Sequence, residues 1–379
     1  MTGRNGLRRV TYQHTIEYEV VNSHNLFDPR NQDLLSVGKI DHARRFVVVD
    51  ANVENIFSVK IQNYFFQNQV EAKIITFPSG EEYKTVESYL SIAQELDSFP
   101  IHRKDEPIIA IGGGVLTDVV GFVAGSYRRG IPHISVPTTL MGYIDASIGI
   151  KTGINFNGSK NRLGMFAPPQ KVLLDKSFLK SLPNRHILNG VCEIIKLALI
   201  KDAELFCMLE AHGAQSVVSQ FQNDEGGAIL DRAISGMLDE LQPNLLEDDL
   251  ARKMDFGHTF SYGLETRHKA YLFHGEAVLL DIAISAQIAM KRNLLSDAEA
   301  DRIFNLIATL GIMMDTTILD PVLLWHSLQE RTYHRNGEQR VPLPLGIGRC
   351  SFVNDVNADE IESAVKSLED RIVIKHGII

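Results

Sequence analysis

IIAIGGGVLTDVVGF, residues Ile108 to Phe122, places three consecutive glycines between two apolar runs. Ile108 to Ile111 make a short apolar strand, three glycines end it, and Val115, Val119 and Val123 then recur at helical spacing. Strand, tight turn and helix in that order form the βα step of a parallel sheet. Glycines at such a turn let a ligand approach the backbone, and the helix N-terminus offers free N–H groups to a phosphate. The same turn can serve packing alone, and it is not the G-x-G-x-x-G fingerprint. Two acids favour a dinucleotide. Asp50 ends another apolar run, Phe46 to Val49, where α/β folds place a ribose-binding acid. Asp118 stands among valines, a costly position unless something neutralises it.

Working outward, Lys73 to Phe77 and His133 to Val136 predict further strands, while Val53 to Phe66 and Val86 to Leu96 predict helices. The alternation predicts an α/β domain with a parallel sheet covered on both faces. Arg9 to Val21 alternates in a strand-like way and predicts a β-hairpin or edge ribbon. From Leu182-Pro183-Asn184 to about Met290 the pattern turns helical, and the next β-like run is Val341-Pro342-Leu343. We therefore expect an α/β domain over residues 1–183 and a mostly α-helical domain over 184–379. Between Val136 and Gly164 runs a long stretch rich in Gly, Thr and Asn, carrying Asp145, Lys151, Lys160 and Arg162. Loops of that length in compact domains are functional or disordered, and its apolar residues argue against disorder.

The bulk properties narrow the classes. A chain of 379 residues can bury two cores, and 44% hydrophobic with 22% charged residues fits a soluble globular protein. A net charge of -9 without a basic run argues against nucleic acid as a partner. Cys192, Cys207 and Cys350 lie far apart in apolar surroundings, which predicts buried, reduced thiols. The opening residues hold no apolar leader core and no stretch could span a bilayer, so a cytoplasmic protein without a membrane partner is expected.

GVCEIIKLALI, Gly190 to Ile200, is apolar nearly all round, so its two charges are buried; Glu193 and Lys196, three apart, share one face. Such a pair can be a plain buried salt bridge. Farther on, His258 sits in DFGHTFSYGLE and His274 opens LFHGEAVLLDIAIS. One carboxylate and two imidazoles match a common catalytic Zn²⁺ shell that leaves a position open. Spacing alone does not prove it, since the three come from separate elements.

GGGVLTDVVGF, YRRG, VPTTLMGYIDASIGIKTGIN, GSKNRLG, EIIK, GHTF and HGEAV, in this order over roughly residues 40 to 350, resemble the 3-dehydroquinate synthase superfamily, the sugar phosphate cyclases. The resemblance implies an N-terminal NAD-binding α/β domain, a helical metal-binding domain, a sugar phosphate substrate between them and a homodimer. It implies Zn²⁺ or Co²⁺ on Glu193, His258 and His274, and NAD contacts on Asp50, Glu81, Lys84, Gly114, Val115, Asp118, Thr138 and Thr139. Substrate-binding and catalytic positions fall on Arg129, Asp145, Lys151, Lys160, Asn161 and Lys196. The implied reaction is oxidation of a hydroxyl by NAD, phosphate elimination, re-reduction, ring opening and intramolecular aldol closure.

Within the superfamily, dehydroquinate synthase usually has Arg and Asn upstream of the first metal histidine and a second His four residues after it. Here those positions read Ala251, Asp255 and Tyr262. An alanine and an anionic aspartate do not suit a substrate carboxylate, so dehydroquinate synthase is disfavoured. The flanking text, including LPNRHILNGVCEIIKLALIKDAELF and VPLPLGIG, resembles the sedoheptulose 7-phosphate cyclases. These make 2-epi-5-epi-valiolone, 2-epi-valiolone or desmethyl-4-deoxygadusol. In that reading Asp255 faces a sugar hydroxyl, and His334 stands near where dehydroquinate synthase has a C-terminal lysine. Tyr262 departs from the proline usual in the 2-epi-5-epi-valiolone branch and keeps 2-epi-valiolone open. A polyol dehydrogenase that releases NADH shares the architecture, but the phosphate-binding lysines count against it.

Overall fold

The computed structural model describes residues 8–38, 44–268 and 271–376. Residues 1–7, part of the stretch read for a leader, lie outside them.

The βα unit that opened the sequence is β4 (Ile108–Gly112) followed by α3 (Gly114–Ser126), and it sits mid-sheet. Before it come β1 (Glu19–Asn22), β2 (Arg44–Asp50), α1 (Ala51–Gln67), β3 (Glu71–Phe77) and α2 (Val86–Ser98). After it come β5 (His133–Pro137), β6 (Lys151–Phe156), β7 (Ser159–Phe166) and β8 (Lys171–Leu174). Six strands make one parallel sheet in the order β1-β8-β5-β4-β2-β3. Successive strand residues point to opposite faces. Val47 and Val49 accordingly pack with Ile61, Tyr64 and Phe65 of α1, whereas Phe46 and Val48 join Ile92 of α2 and Val119 and Val123 of α3. The order reverses between β2 and β4, the switch point where such sheets bind ligands beyond their carboxyl ends.

Two strand expectations need correction. Arg9 to Val21 is no hairpin: residues 8–18 carry no regular structure, and Glu19–Asn22 pairs in parallel with Lys171–Leu174. The alternation was real, but its partner is some 150 residues distant and invisible to local pattern. The long stretch after β5 is not a loop throughout. It contains a π-helical turn, Gly142–Ala146, and then an antiparallel hairpin of β6 and β7. Asn157 and Gly158, both at positive φ, close the hairpin as the two-residue turn such sequences favour.

From Asn184 onward the chain is helical: α4 (Asn184–Ile200), α5 (Ala203–Val218), α6 (Asp224–Leu241), α7 (Ser261–Arg267), α8 (His274–Lys291), α9 (Asp297–Thr309) and α10 (Pro321–His334). A small antiparallel pair, β9 (Val341–Pro344) and β10 (Cys350–Val353), and α11 (Ala358–His376) complete it. The helices share one large core into which Leu140, Tyr143, Ile144 and Ile148 also insert, so the π-helical turn is clamped between sheet and helices. Of the cysteines only Cys192 is buried; Cys207 is exposed and Cys350 half-buried, and all are free. Among the described residues no helix is long and apolar enough to cross a membrane.

Candidate active site and metal centre

α4 is buried on nearly every side, and Glu193 and Lys196 lie in its interior stretch at 0% and 1% exposure. They form the expected ion pair. α8 starts hard against α4: Gly275 N donates to Asn189 Oδ1 at 2.6 Å, and a Cβ at Gly275 would lie 2.1 Å from the Asn189 carbonyl oxygen. Only glycine permits that approach, and because Asn189 lies one turn before Glu193 on α4, the contact sets His274 beside Glu193. His274 Nε2 is 3.4 Å and His258 Nε2 3.9 Å from Glu193 Oε1. Ligand atoms of the three side chains all lie within 4.8 Å of one another.

The donor chemistry fits a divalent ion. Glu193 Oε2 is taken by Lys196, while the buried Oε1 accepts no hydrogen bond among the described residues and faces the two imidazoles. Burial works to raise the Glu193 pKa, but Lys196, His274 and His258 outweigh it and hold the group ionised. Burial and the Lys196 cation push His258 down to about 3, leaving a neutral imidazole. Burial also opposes charge on His274, yet Glu265 and Glu193 overcome it and raise His274 to about 10. Two carboxylates thus hold positive charge where a metal cation would supply it. Glu265 was not anticipated. It is buried, 3.1 Å from His274 Nδ1 and 2.7 Å from Lys160 Nζ, and its pairing partner on the hairpin lies 105 residues away.

From Lys160 a polar chain runs back to the sheet. Lys160 is 4.0 Å from Glu81, Asn155 Nδ2 donates to Glu81 Oε1 at 2.8 Å, and Asn161 N donates to Asn155 Oδ1 at 2.9 Å. Lys84 donates to Asn161 and pairs with Asp118 at 2.6 Å, providing the neutralising partner that Asp118 required. Burial nonetheless raises the Asp118 pKa, with Lys84 only partly offsetting it. At the switch point Asp50 Oδ1 accepts from Asn52 N and Ser79 Oγ. Gly113 caps α3 without any side-chain bond, leaving the first N–H groups of Gly114 and Val115 to a ligand. The glycines are also packing devices: a Cβ on Gly112 would sit 3.0 Å from the Asp50 Cβ, and one on Gly113 3.0 Å from Thr139. Thr138 N donates to the Gly112 carbonyl. Asp145, half-buried in the π-helical turn, acts electrostatically on Lys196, Lys151 and Asp118.

Other candidates fall differently. Lys151 is 62% exposed and pairs with Glu247 at 3.0 Å. Tyr262 is half-buried and close enough to Lys160 to act on its charge. Arg129 is exposed beyond the far end of α3, about 20 Å of helix from the glycine turn, so this chain does not bring it to its own cluster. His334 is exposed on the last turn of α10, and its neighbour Arg335 points inward instead. Asp255 does not face a free cavity as a lone anion. It is buried, with Arg252 on Oδ1, Arg335 Nη2 3.1 Å from Oδ2 and Arg331 4.0 Å away. Burial would raise its pKa, but the three guanidiniums keep it well below the usual carboxylate range. Repulsion of an acidic substrate by a bare Asp255 therefore does not hold.

The 3-dehydroquinate synthase N-terminal and C-terminal family models match residues 74–189 and 190–331. The chain belongs to the 3-dehydroquinate synthase family. It is 48% identical over 361 residues to a 2-epi-5-epi-valiolone synthase of Streptomyces albus, covering 93% of this chain and 88% of that one. It is 37% identical to a demethyl-4-deoxygadusol synthase of Trichormus variabilis over 92% of this chain and 87% of the relative. Among solved structures it resembles 2-epi-5-epi-valiolone synthase from Streptomyces hygroscopicus subsp. jinggangensis with NAD⁺ and Zn²⁺ bound. That match has TM-score 0.92 and 41% identity over 96% of this chain and 100% of that one.

Proposed function

We propose that this family member is a sedoheptulose 7-phosphate cyclase, releasing phosphate and closing a valiolone-type ring, with NAD and Zn²⁺ (or Co²⁺) as cofactors. The convergence of Glu193, His258 and His274 beside Lys196, in a chain 48% identical to a 2-epi-5-epi-valiolone synthase, carries the reading. NAD supplies a reversible hydride acceptor, and the metal on those three side chains a Lewis acid.

The chain's own groups do the rest. Asp50, Glu81, Lys84, Asp118, Thr138, Thr139 and the α3 N-terminus would hold the dinucleotide at the switch point. Lys160 and Asn161 from β7, with Lys151 from β6, would take the phosphate in charge-assisted bonds. A phosphate must compete there with Glu247 for Lys151 and with Glu265 for Lys160. Lys196 and Asp145 would orient the sugar hydroxyls at the cleft floor. We take Pro183, at the head of α4, as the division between the two domains. The exposed Phe156, Leu163, Met165 and Phe166 of the hairpin support a homodimer, and three free cysteines fit a cytoplasmic protein.

The product favoured is 2-epi-5-epi-valiolone. Tyr262, a phenol near Lys160, favours 2-epi-valiolone as the second reading. Incubation with sedoheptulose 7-phosphate, NAD and Zn²⁺, with the cyclitol identified by NMR, tests both. Absence of any cyclitol would reject the activity, and the ring stereochemistry chooses between the products.

A further inference from the structure

We infer that Asp255 is a built-in stand-in for a substrate carboxylate, filling an arginine cluster and thereby turning away substrates that carry an acid at that place. The inference rests on the proposed cyclase reading and names what sets its substrate class.

The cluster comes from two separate parts of the chain. Arg252 precedes the metal-histidine loop, while Arg331 and Arg335 project from the end of α10 and just beyond it. All three converge on one carboxylate: Arg252 holds Oδ1, and Arg335, 2% exposed, holds Oδ2. A carboxylate bridged by planar guanidiniums is how proteins bind an organic acid. Here the acid belongs to the protein. Nε of Arg331 and of Arg335 are buried without a hydrogen-bond partner among the described residues, so the cluster has donors beyond those Asp255 uses. Arg252 shares itself with Glu247, and Lys151 joins Glu247 as well. Three guanidiniums and one ammonium thus face two carboxylates, and removing Asp255 leaves a strongly cationic hole. That hole belongs to the cleft, because Asp255 acts electrostatically on both Lys151 and Lys196. Its backbone carbonyl also accepts from His258 N at 3.0 Å.

With Asp255 present, an acidic substrate finds the place between the guanidiniums already filled and must displace an internal carboxylate held at very high effective concentration. A neutral sugar chain meets no such competitor. This replaces simple charge repulsion, which the surrounding arginines cancel.

The test compares wild type, Asp255→Ala and Asp255→Asn, each loaded with NAD and Zn²⁺. Formate at tens of millimolar should raise the Tm of Asp255→Ala saturably, by roughly 3–5 °C. Wild type should not respond, and neither should Asp255→Ala in chloride of equal ionic strength. In Asp255→Asn, kcat/KM for the carboxylate-bearing substrate of 3-dehydroquinate synthase, relative to sedoheptulose 7-phosphate, should rise at least about tenfold over the wild-type ratio. A folded Asp255→Ala that ignores formate, or an unchanged ratio in Asp255→Asn, overturns the inference. If neither variant folds, Asp255 is a structural counter-ion and the inference is wrong. Failure of wild type on sedoheptulose 7-phosphate would instead count against the proposed function, since the formate response needs no substrate.

Discussion

Oε1 of Glu265 lies 3.1 Å from Nδ1 of His274, so the carboxylate fixes the ring with Nε2 turned toward Glu193. The other Glu265 oxygen holds Lys160, so one buried side chain joins the proposed metal ligands to the β6–β7 hairpin. Partners of metal-binding histidines hold the ring's tautomer and orientation, and their loss costs about 10–100-fold in metal affinity. Glu265→Gln, which keeps the shape and drops the charge, should lose Zn²⁺ by that factor in a chelator competition. Unaltered affinity would reduce Glu265 to a structural contact.

The Lys84–Asp118 pair predicts a stability effect. Lys84 is 5% and Asp118 19% exposed at the side chain, and breaking a buried pair from one side costs about 3–5 kcal/mol. Lys84→Met should show a loss of that order in denaturant unfolding, because Asp118 is left uncompensated. The double variant Lys84→Met, Asp118→Leu should recover part of it.

His133, buried in β5, predicts a pH dependence. Burial lowers its pKa from 6.5 to about 4, so the folded protein binds fewer protons than the unfolded chain between those values. Its contribution is complete above pH 6.5 and is lost as pH falls toward 4, at most about 3 kcal/mol for this group. His133→Gln should flatten the unfolding free energy across that window. An unchanged slope would show that other groups govern it.

Elements with strong local signals were legible. Val47 to Val49, the glycine turn and the apolar α4 read correctly because burial on both faces, or all round, leaves a continuous hydrophobic run. The candidate metal triad could be suspected from residue chemistry, but only the Gly275–Asn189 contact shows how His274 reaches Glu193. Asn157-Gly158 was a hairpin signal in plain view, obscured by the glycines and polar residues around it. Arg252, Arg331 and Arg335 were not legible as a unit. Each is an ordinary charged residue until α10 brings residue 335 to residue 255, a pairing that no local pattern encodes.

Tyr262 is the second residue of α7, within the first turn, where no helical N–H bond is required. Proline should therefore fit there without breaking the helix, and Tyr262→Pro reads chemistry more than folding. If the phenol guides the face of ring closure, the variant should shift product toward 2-epi-5-epi-valiolone by NMR. An identical product distribution would remove Tyr262 from the stereochemical account.

In the proposed reaction NAD is reduced and reoxidised within each turnover while phosphate leaves. Following nicotinamide absorbance and inorganic phosphate together, during turnover of sedoheptulose 7-phosphate with substoichiometric NAD, tests it directly. A cyclase should give one phosphate per cyclitol, many turnovers per NAD and no net NADH. NADH accumulating one for one with product, or turnover stopping when NAD is exhausted, would contradict it and make the protein a dehydrogenase.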